Sequence, residues 1–159
     1  WGRQPWWWGL SLVALGTLVR AWAAGSLQKD QTMAASGPYL LVRHPLYTGS
    51  CLLSLGFVVV LHHWFVTVFV GGLTILVYWH TIQHEEKNLV ARFGSAYKER
   101  MRRAGPLWPT PTSIMDFIKG RGPRIAFSGR QFMKNREYEC MLGVAALLAY
   151  LYAGTHFKP

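Results

Sequence analysis

Charge is scarce in this chain, and negative charge is scarcer still: 15% of the 159 residues are charged, with seven Asp and Glu against seventeen Lys and Arg. Together with 51% hydrophobic and 14% aromatic residues, this is greasier than an ordinary soluble domain, and a membrane protein is the first expectation. Cysteine is almost missing. Cys51 and Cys140 both fall inside apolar segments, where they read as small buried hydrophobes, so neither a disulfide nor a thiolate metal site is expected. A G-x-G-x-x-G turn is lacking too, which excludes the strand-to-helix turn on which soluble nucleotide-cofactor enzymes seat their ligand. The apolar stretches do not alternate as strands would, and no internal repeat is present, so the fold class expected is all-α. Trp1 opens the chain in place of methionine; the sequence reads as a fragment or processed chain that a further helix could precede. Trp6-Trp7-Trp8 before an apolar run reads as an interfacial belt leading into a span rather than a signal peptide.

Four apolar runs, at about residues 6–23, 46–61, 64–79 and 138–154, approach the length needed to cross ~30 Å of hydrocarbon as helices. If all four cross, segments 24–45 and 80–137 share one side and hold fifteen of the seventeen basic residues, Arg20 at the boundary included, while Arg3 and Lys158 lie opposite. That side is expected to be cytoplasmic and to attract anionic headgroups, which accounts for the +10 net charge without nucleic acid. The multi-pass protein would sit in the plasma membrane of a prokaryote or the endoplasmic reticulum of a eukaryote.

Locally, the first span is expected to end near Arg20-Ala21-Trp22, with Arg20 snorkelling to the interface. His62-His63 reads as the turn of a tight helical hairpin whose halves, near 16 residues, are short for a full crossing. The third helix should run out through His84-Glu85-Glu86 to Phe93, with Gly94 as its stop, and Ala104-Gly105-Pro106 through Pro111 should break any helix. Residues 112–136 mix Lys119, Arg121, Arg124, Arg130, Lys134 and Arg136 with large apolar side chains, and are expected as two short amphipathic pieces on the membrane surface, a lid or anchor beside the substrate entrance. The chain thus divides into a core, 1–111, and a basic segment with a terminal membrane helix, 112–159.

What is present in place of a glycine-rich turn is a crowded polar stretch, Gly37-Pro38-Tyr39-Leu40-Leu41-Val42-Arg43-His44-Pro45-Leu46-Tyr47-Thr48-Gly49, followed after a hydrophobic gap by Glu85-Glu86-Lys87-Asn88-Leu89 and Phe93-Gly94-Ser95-Ala96-Tyr97. Polar groups kept at a membrane boundary usually have a job. The ordered set GPYxxVRHPxYxG, EExxL, FGxxY resembles the isoprenylcysteine carboxyl methyltransferase family, whose membrane enzymes use S-adenosylmethionine and include phospholipid methyltransferase relatives. The resemblance covers roughly residues 9–109 and implies a cofactor pocket built from helix ends and loops on the cytoplasmic side. It implies that Tyr39, His44, Pro45, Leu46, Tyr47 and Glu85 line the cofactor, joined by Gln31, Thr32, Met33 and Ala34 from the segment just before, and Arg43 adds the donor that the cofactor's carboxylate needs. Pro45 suits the first turn of a helix, which would set His44 at a helix N-terminus whose free amides favour an anion.

Two positions depart from the family pattern. Where the isoprenylcysteine branch has a substrate-binding arginine one turn before the glutamate, this chain has Thr81, so Thr81 stands as the substrate-binding position; the aromatic expected after Tyr97 is Arg100. No nucleophilic side chain or metal is required for methyl transfer, although an amine or hydroxyl acceptor would benefit from a base, for which His84 and Glu86 are the candidates. The expected acceptor is a lipophilic molecule entering from the bilayer, an isoprenylcysteine-like carboxylate or a lipid headgroup. Four other readings stay open: an NADPH-dependent sterol-reductase-like enzyme, a membrane di-iron hydroxylase, a single zinc at His80, His84 and Glu85, and a non-catalytic membrane subunit. The sequence leaves the oligomeric state unknown.

Overall fold

The computed structural model describes residues 6–27, 36–122 and 127–156. The expected cofactor segment Gln31, Thr32, Met33 and Ala34 lies outside the described residues. Among those described, the elements are all helical: α1 (Trp6–Ser26), α2 (Pro38–Leu41), α3 (Pro45–Leu61), α4 (Trp64–Phe93), α5 (Ser95–Arg103), α6 (Pro111–Ile118), α7 (Gly129–Lys134) and α8 (Glu137–His156). Two of them, α1 and α4, are long and apolar enough to cross a membrane. Helix α3 is shorter at 17 residues, and α8, 20 residues long, carries Glu137 and Glu139 in its first turn.

Helices α1 and α3 run antiparallel along a glycine seam that allows their backbones to touch. A Cβ added at Gly9 would stand 2.8 Å from the Gly56 carbonyl oxygen, and one at Gly56 2.8 Å from that of Gly9; the pair Gly16 and Gly49 repeats the arrangement at 2.7 and 2.8 Å. Each helix carries its two glycines seven residues apart, two turns along one face, so both contacts form in a single register. Val13 and Leu53 are buried in the same seam.

The hairpin turn falls at His62, which adopts φ 44°, and Gly94 ends α4 at φ 55°. Both are left-handed positions that stop a helix, glycine at no steric cost. Helix α4 buries only Ile82, leaving its apolar flank for lipid; a Thr74 to Ser54 hydroxyl contact of 3.2 Å ties it to α3. Among the shorter elements, α6 opens on Pro111 with a capping box between Thr110 and Ser113.

The C-terminal region docks onto the core. The α1 helix continues to Ser26, past the end expected at Trp22, because its last carbonyls find donors on α7: Ser128 N–H to Gly25 O at 3.0 Å, Asn135 Nδ2 to Ala24 O at 2.8 Å and to Leu27 O at 3.1 Å, and Gln131 Nε2 to Leu27 O at 3.3 Å. These are the groups a helix end otherwise leaves orphaned. Nor does Arg20 snorkel. Its Nε and Nη2 clamp the Glu137 carboxylate at 2.6 and 3.0 Å, and Nη1 reaches the Ser50 hydroxyl, so one guanidinium joins α1, α3 and the start of α8. A bidentate pair of this kind is the strong form of a charged hydrogen bond.

Valine at Gly16 or Gly49 would drive a side chain into backbone, and each change is expected to destabilise the protein by roughly 1–3 kcal/mol. Alanine at Gly72, where nothing lies within 4 Å, should be neutral or mildly stabilising. Thermal unfolding in detergent checks both; equal effects at the two kinds of site would refute the seam.

Candidate active site

The polar stretch and the acidic pair, remote in sequence, meet at one end of the bundle. Gly37 (φ 56°) turns the chain into the single-turn α2, whose Pro38 sits in the first turn, and an extended Val42 then leads to the N-terminus of α3. There the backbone pairs with the chain after α5: Arg43 N–H to Gly105 O at 2.9 Å and His44 N–H to Pro106 O at 3.0 Å, with Thr48 Oγ1 donating to Leu107 O at 2.9 Å. The 104–107 break is therefore the strand-like partner that holds Arg43 and His44 in place. Pro45, fully buried, occupies the first helical turn, with His44 as N-cap.

From the other side α4 presents Glu85 and Glu86, and the two divide the work. Glu86 Oε1 accepts from Arg43 Nη2 at 2.8 Å and lies 3.1 Å from His44 Nε2. The Arg43 and Glu86 side chains are 9% and 15% exposed, so this pair is largely removed from solvent, and the Nη1 of Arg43 is committed to the Met101 and Ala104 carbonyls at 3.0 and 3.1 Å. Glu85 Oε2 accepts from the Tyr47 hydroxyl at 2.9 Å and stands 3.7 Å from His44 Nδ1. Its side chain stays 44% exposed, which leaves it reachable by a ligand.

Aromatic rings complete the wall: His44 stacks on Tyr47 at 5.6 Å between centroids, and Tyr47 on Tyr78 at 5.2 Å. Burial lowers the pKa of His44 from its ordinary 6.5, Arg43 adding to the effect while Glu85 and Glu86 oppose it. A neutral imidazole is thus the resting form, with the Nε2–H directed at Glu86, an assignment made from the hydrogen-bond partner. Tyr39 is buried beside the cluster, and desolvation, then Glu85, raises its phenol pKa. An open groove of about 440 Å³, lined by Gln83, Glu86, Lys87, Val90 and Met101, reaches the cluster at Glu86.

Of the residues singled out from sequence, Tyr39, Arg43, His44, Pro45, Tyr47, Glu85 and Glu86 come together. Leu46 contributes its carbonyl, which receives the Ser50 hydroxyl at 3.0 Å, and points the motif's backbone towards Arg20 rather than towards the acids. Thr81 spends its hydroxyl on the Val77 carbonyl of its own helix at 2.7 Å. His84 is exposed. Glu86 is already engaged by Arg43 and His44. Among the described residues no group of three His, Cys, Asp or Glu side chains converges to hold a metal ion. Sequence reasoning missed Tyr78, although it lies seven residues before Glu85 and so on the same face of α4.

An all-helical, apolar protein with a motif-built polar cluster at the end of its longest helix is a membrane protein with a candidate enzyme site at its boundary. The profile of the isoprenylcysteine carboxyl methyltransferase (ICMT) family matches residues 9–91, more than half of the chain, and the chain belongs to that family. It is also 33% identical over 103 residues to the cobalt-zinc-cadmium resistance protein CzcN of Cupriavidus metallidurans, an alignment covering 64% of this chain and 47% of that protein. The chain thus spans about half the length of this curated relative. No solved structure matches.

Glu86→Gln leaves the partly buried Arg43 without its counter-charge, so a loss of roughly 1–3 kcal/mol in stability is expected. In the double variant with Arg43→Gln the losses should fall short of additive, the coupling that a double-mutant cycle on thermal melts would read; full additivity would mean the pair contributes nothing. Because the folded state keeps His44 neutral, its contribution to stability is present above pH 6.5 and is lost as pH falls through the depressed folded value. Melting temperature followed downward from that pH should fall more steeply in the wild type than in His44→Gln; parallel curves would contradict this.

Proposed function

We propose that the protein transfers a methyl group from S-adenosylmethionine to a lipophilic acceptor that reaches the site from the bilayer. The observation that carries this reading is the convergence of the two motifs: His44, Tyr47, Glu85 and Glu86, some forty residues apart in sequence, within hydrogen-bonding or stacking reach of one another. The residues present suit such a cofactor. Glu85 is an exposed carboxylate for its ammonium, the free amides at the N-terminus of α3 are donors for its carboxylate, and the Tyr47 and Tyr78 faces are electron-rich surfaces for its purine or its cationic sulfur. When bound, the cofactor supplies a methyl carbon already activated by positive sulfur.

What the chain has to do is align and exclude water. Arg43 fixes Glu86 against the 101–104 turn, and Glu86 in turn fixes the His44 ring, so that the stacked aromatics and Glu85 are held on a stiff backing. A carboxylate acceptor needs no base. An amine or hydroxyl acceptor would lose its proton most readily to the uncharged Nδ1 of His44, which lies next to Glu85, ahead of the exposed His84 or the occupied Glu86. The site faces the cytoplasm in this reading, since the basic residues of α5 and α7, with Lys119 and Arg121 between them, accompany it, and α3 and α8 cross the bilayer with α1 and α4 to make four spans.

Labelled S-adenosylmethionine does not cross membranes, so one experiment tests activity and orientation together. Label should enter the lipid extract of inside-out vesicles bearing the protein and not that of right-side-out vesicles. Glu85→Gln and Tyr47→Phe should each weaken binding of S-adenosylhomocysteine by about one to two decades, with the fold retained. Absence of binding at millimolar ligand, or undiminished affinity in both variants, would dispose of the proposal.

A further inference from the structure

The cluster around Glu86 satisfies one of two neighbouring arginines and leaves the other without a counter-charge among the described residues. Arg100 follows Tyr97 by one turn on the same face of α5. It lies within electrostatic range of Tyr97, Arg43 and Tyr39. No carboxylate among the described residues stands within ion-pair distance of it: on the same two helices Glu86 is paired with Arg43 and Glu99 with Arg103, while Glu85 accepts from the Tyr47 hydroxyl. Its Nη2 is buried with no hydrogen-bond partner, and two further polar atoms in this neighbourhood share that condition, the Tyr97 hydroxyl and Arg43 Nε. Tyr97 is 2% exposed. Burial, and then the charge of Arg43, hold the Arg100 guanidinium below its ordinary pKa.

A buried donor normally has a partner, and a buried cation above all. Three such atoms on residues within electrostatic range of one another, two of them on guanidinium groups, share a single chemical need: an acceptor with two or more oxygens and negative charge. Membrane lipid tails cannot meet that need, and the other acids among the described residues are engaged elsewhere or, like Asp116 with Arg103 and Arg121, tied to the surface. The geometry points to an oxyanion subsite made by Tyr97, Arg100 and the free edge of Arg43, which takes a carboxylate or phosphate group of a bound small molecule.

That oxyanion has two possible sources, the amino acid head of a nucleoside cofactor or the headgroup of a lipophilic acceptor. Four probes separate them by calorimetry in neutral detergent: S-adenosylhomocysteine, 5′-methylthioadenosine, which is the same nucleoside thioether without the amino acid, octyl phosphate and octanol. The variants are Arg100→Gln and Tyr97→Phe, with Lys98→Gln, an exposed cation on the same helix, as control.

Weakening of S-adenosylhomocysteine by about tenfold or more in Arg100→Gln, with methylthioadenosine unchanged, assigns the subsite to the cofactor head. The same loss for octyl phosphate, with octanol unchanged, assigns it to the acceptor. Arg100→Lys should restore part of either affinity, because it returns the charge without the fork. Melting temperatures of the two test variants without ligand should equal or exceed that of the wild type, since each removes a buried polar group lacking a partner. Affinities that fall no further than in Lys98→Gln, or no binding of either anion by the wild type, overturn the subsite. Binding of octyl phosphate with no binding of either nucleoside would keep the subsite and remove the methyl-transfer reading.

Discussion

Two adjacent carboxylates at the end of a long apolar helix need partners, and the arrangement of this protein follows from how they get them. Without company, Glu85 and Glu86 would pull the end of α4 towards water. Arg43 and His44 supply that company for Glu86, and Tyr47 supplies it for Glu85. Since these three residues open or precede α3, the acids fix where the exit of one helix stands relative to the entrance of another. The polar contacts also carry positional information that apolar packing does not: α4 buries only Ile82, so few interdigitating side chains hold it in register.

The cluster can close only if its two sides arrive at the same height, and the glycine seam between α1 and α3 secures one side. Backbone-to-backbone approach at Gly9 with Gly56 and at Gly16 with Gly49 admits a single sliding position, whereas larger side chains would tolerate several. Arg20 then transmits that position onward, its guanidinium shared between Ser50 of α3 and Glu137 of α8. Helix α7 finishes the end of α1 by supplying donors to its last carbonyls. The C-terminal region is thus bound to the core by hydrogen bonds to backbone and by one clamp, contacts that do not depend on the lipid around them.

Most of the architecture was legible in the sequence where the signal was local. Hydrophobic runs, Pro45 at a first turn, Gly94 as a stop, the proline-rich break after Ala104 and the two short amphipathic pieces all follow from rules that act over a few residues. The site was legible for a different reason: motifs in a fixed order named the residues, although nothing in their spacing said that Glu86 rather than Glu85 would bind both Arg43 and His44. What escaped was long-range. Arg20 resembles a snorkelling cation until Glu137, more than a hundred residues away, is seen to face it, and the end of α1 could not be read as Ser26 without α7. The glycines at seven-residue spacing were a visible signal of close helix packing that composition alone does not single out. Tyr78, likewise, follows from helical periodicity once Glu85 is taken as the reference point.

The same contacts therefore serve as structure and as candidate chemistry, and this shapes how the residues can be told apart. His44 and Glu86 are enclosed and mutually bound, so altering either changes the position of α4 as well as any direct contact with a ligand; loss of activity in such a variant would not by itself reveal a chemical role. Glu85 and Tyr47 differ, because Glu85 remains 44% exposed and its partner hydroxyl is neutral, so their removal costs the fold little and a loss of function in such a variant reads on the site itself. Arg43 belongs with the first group, three of its hydrogen bonds being internal. Evolution of such a site is constrained on one side by helix placement and freer on the other. The exposed Glu85 edge and the rim formed by Gln83, Lys87 and Met101 are then the surfaces that can change without rebuilding the bundle.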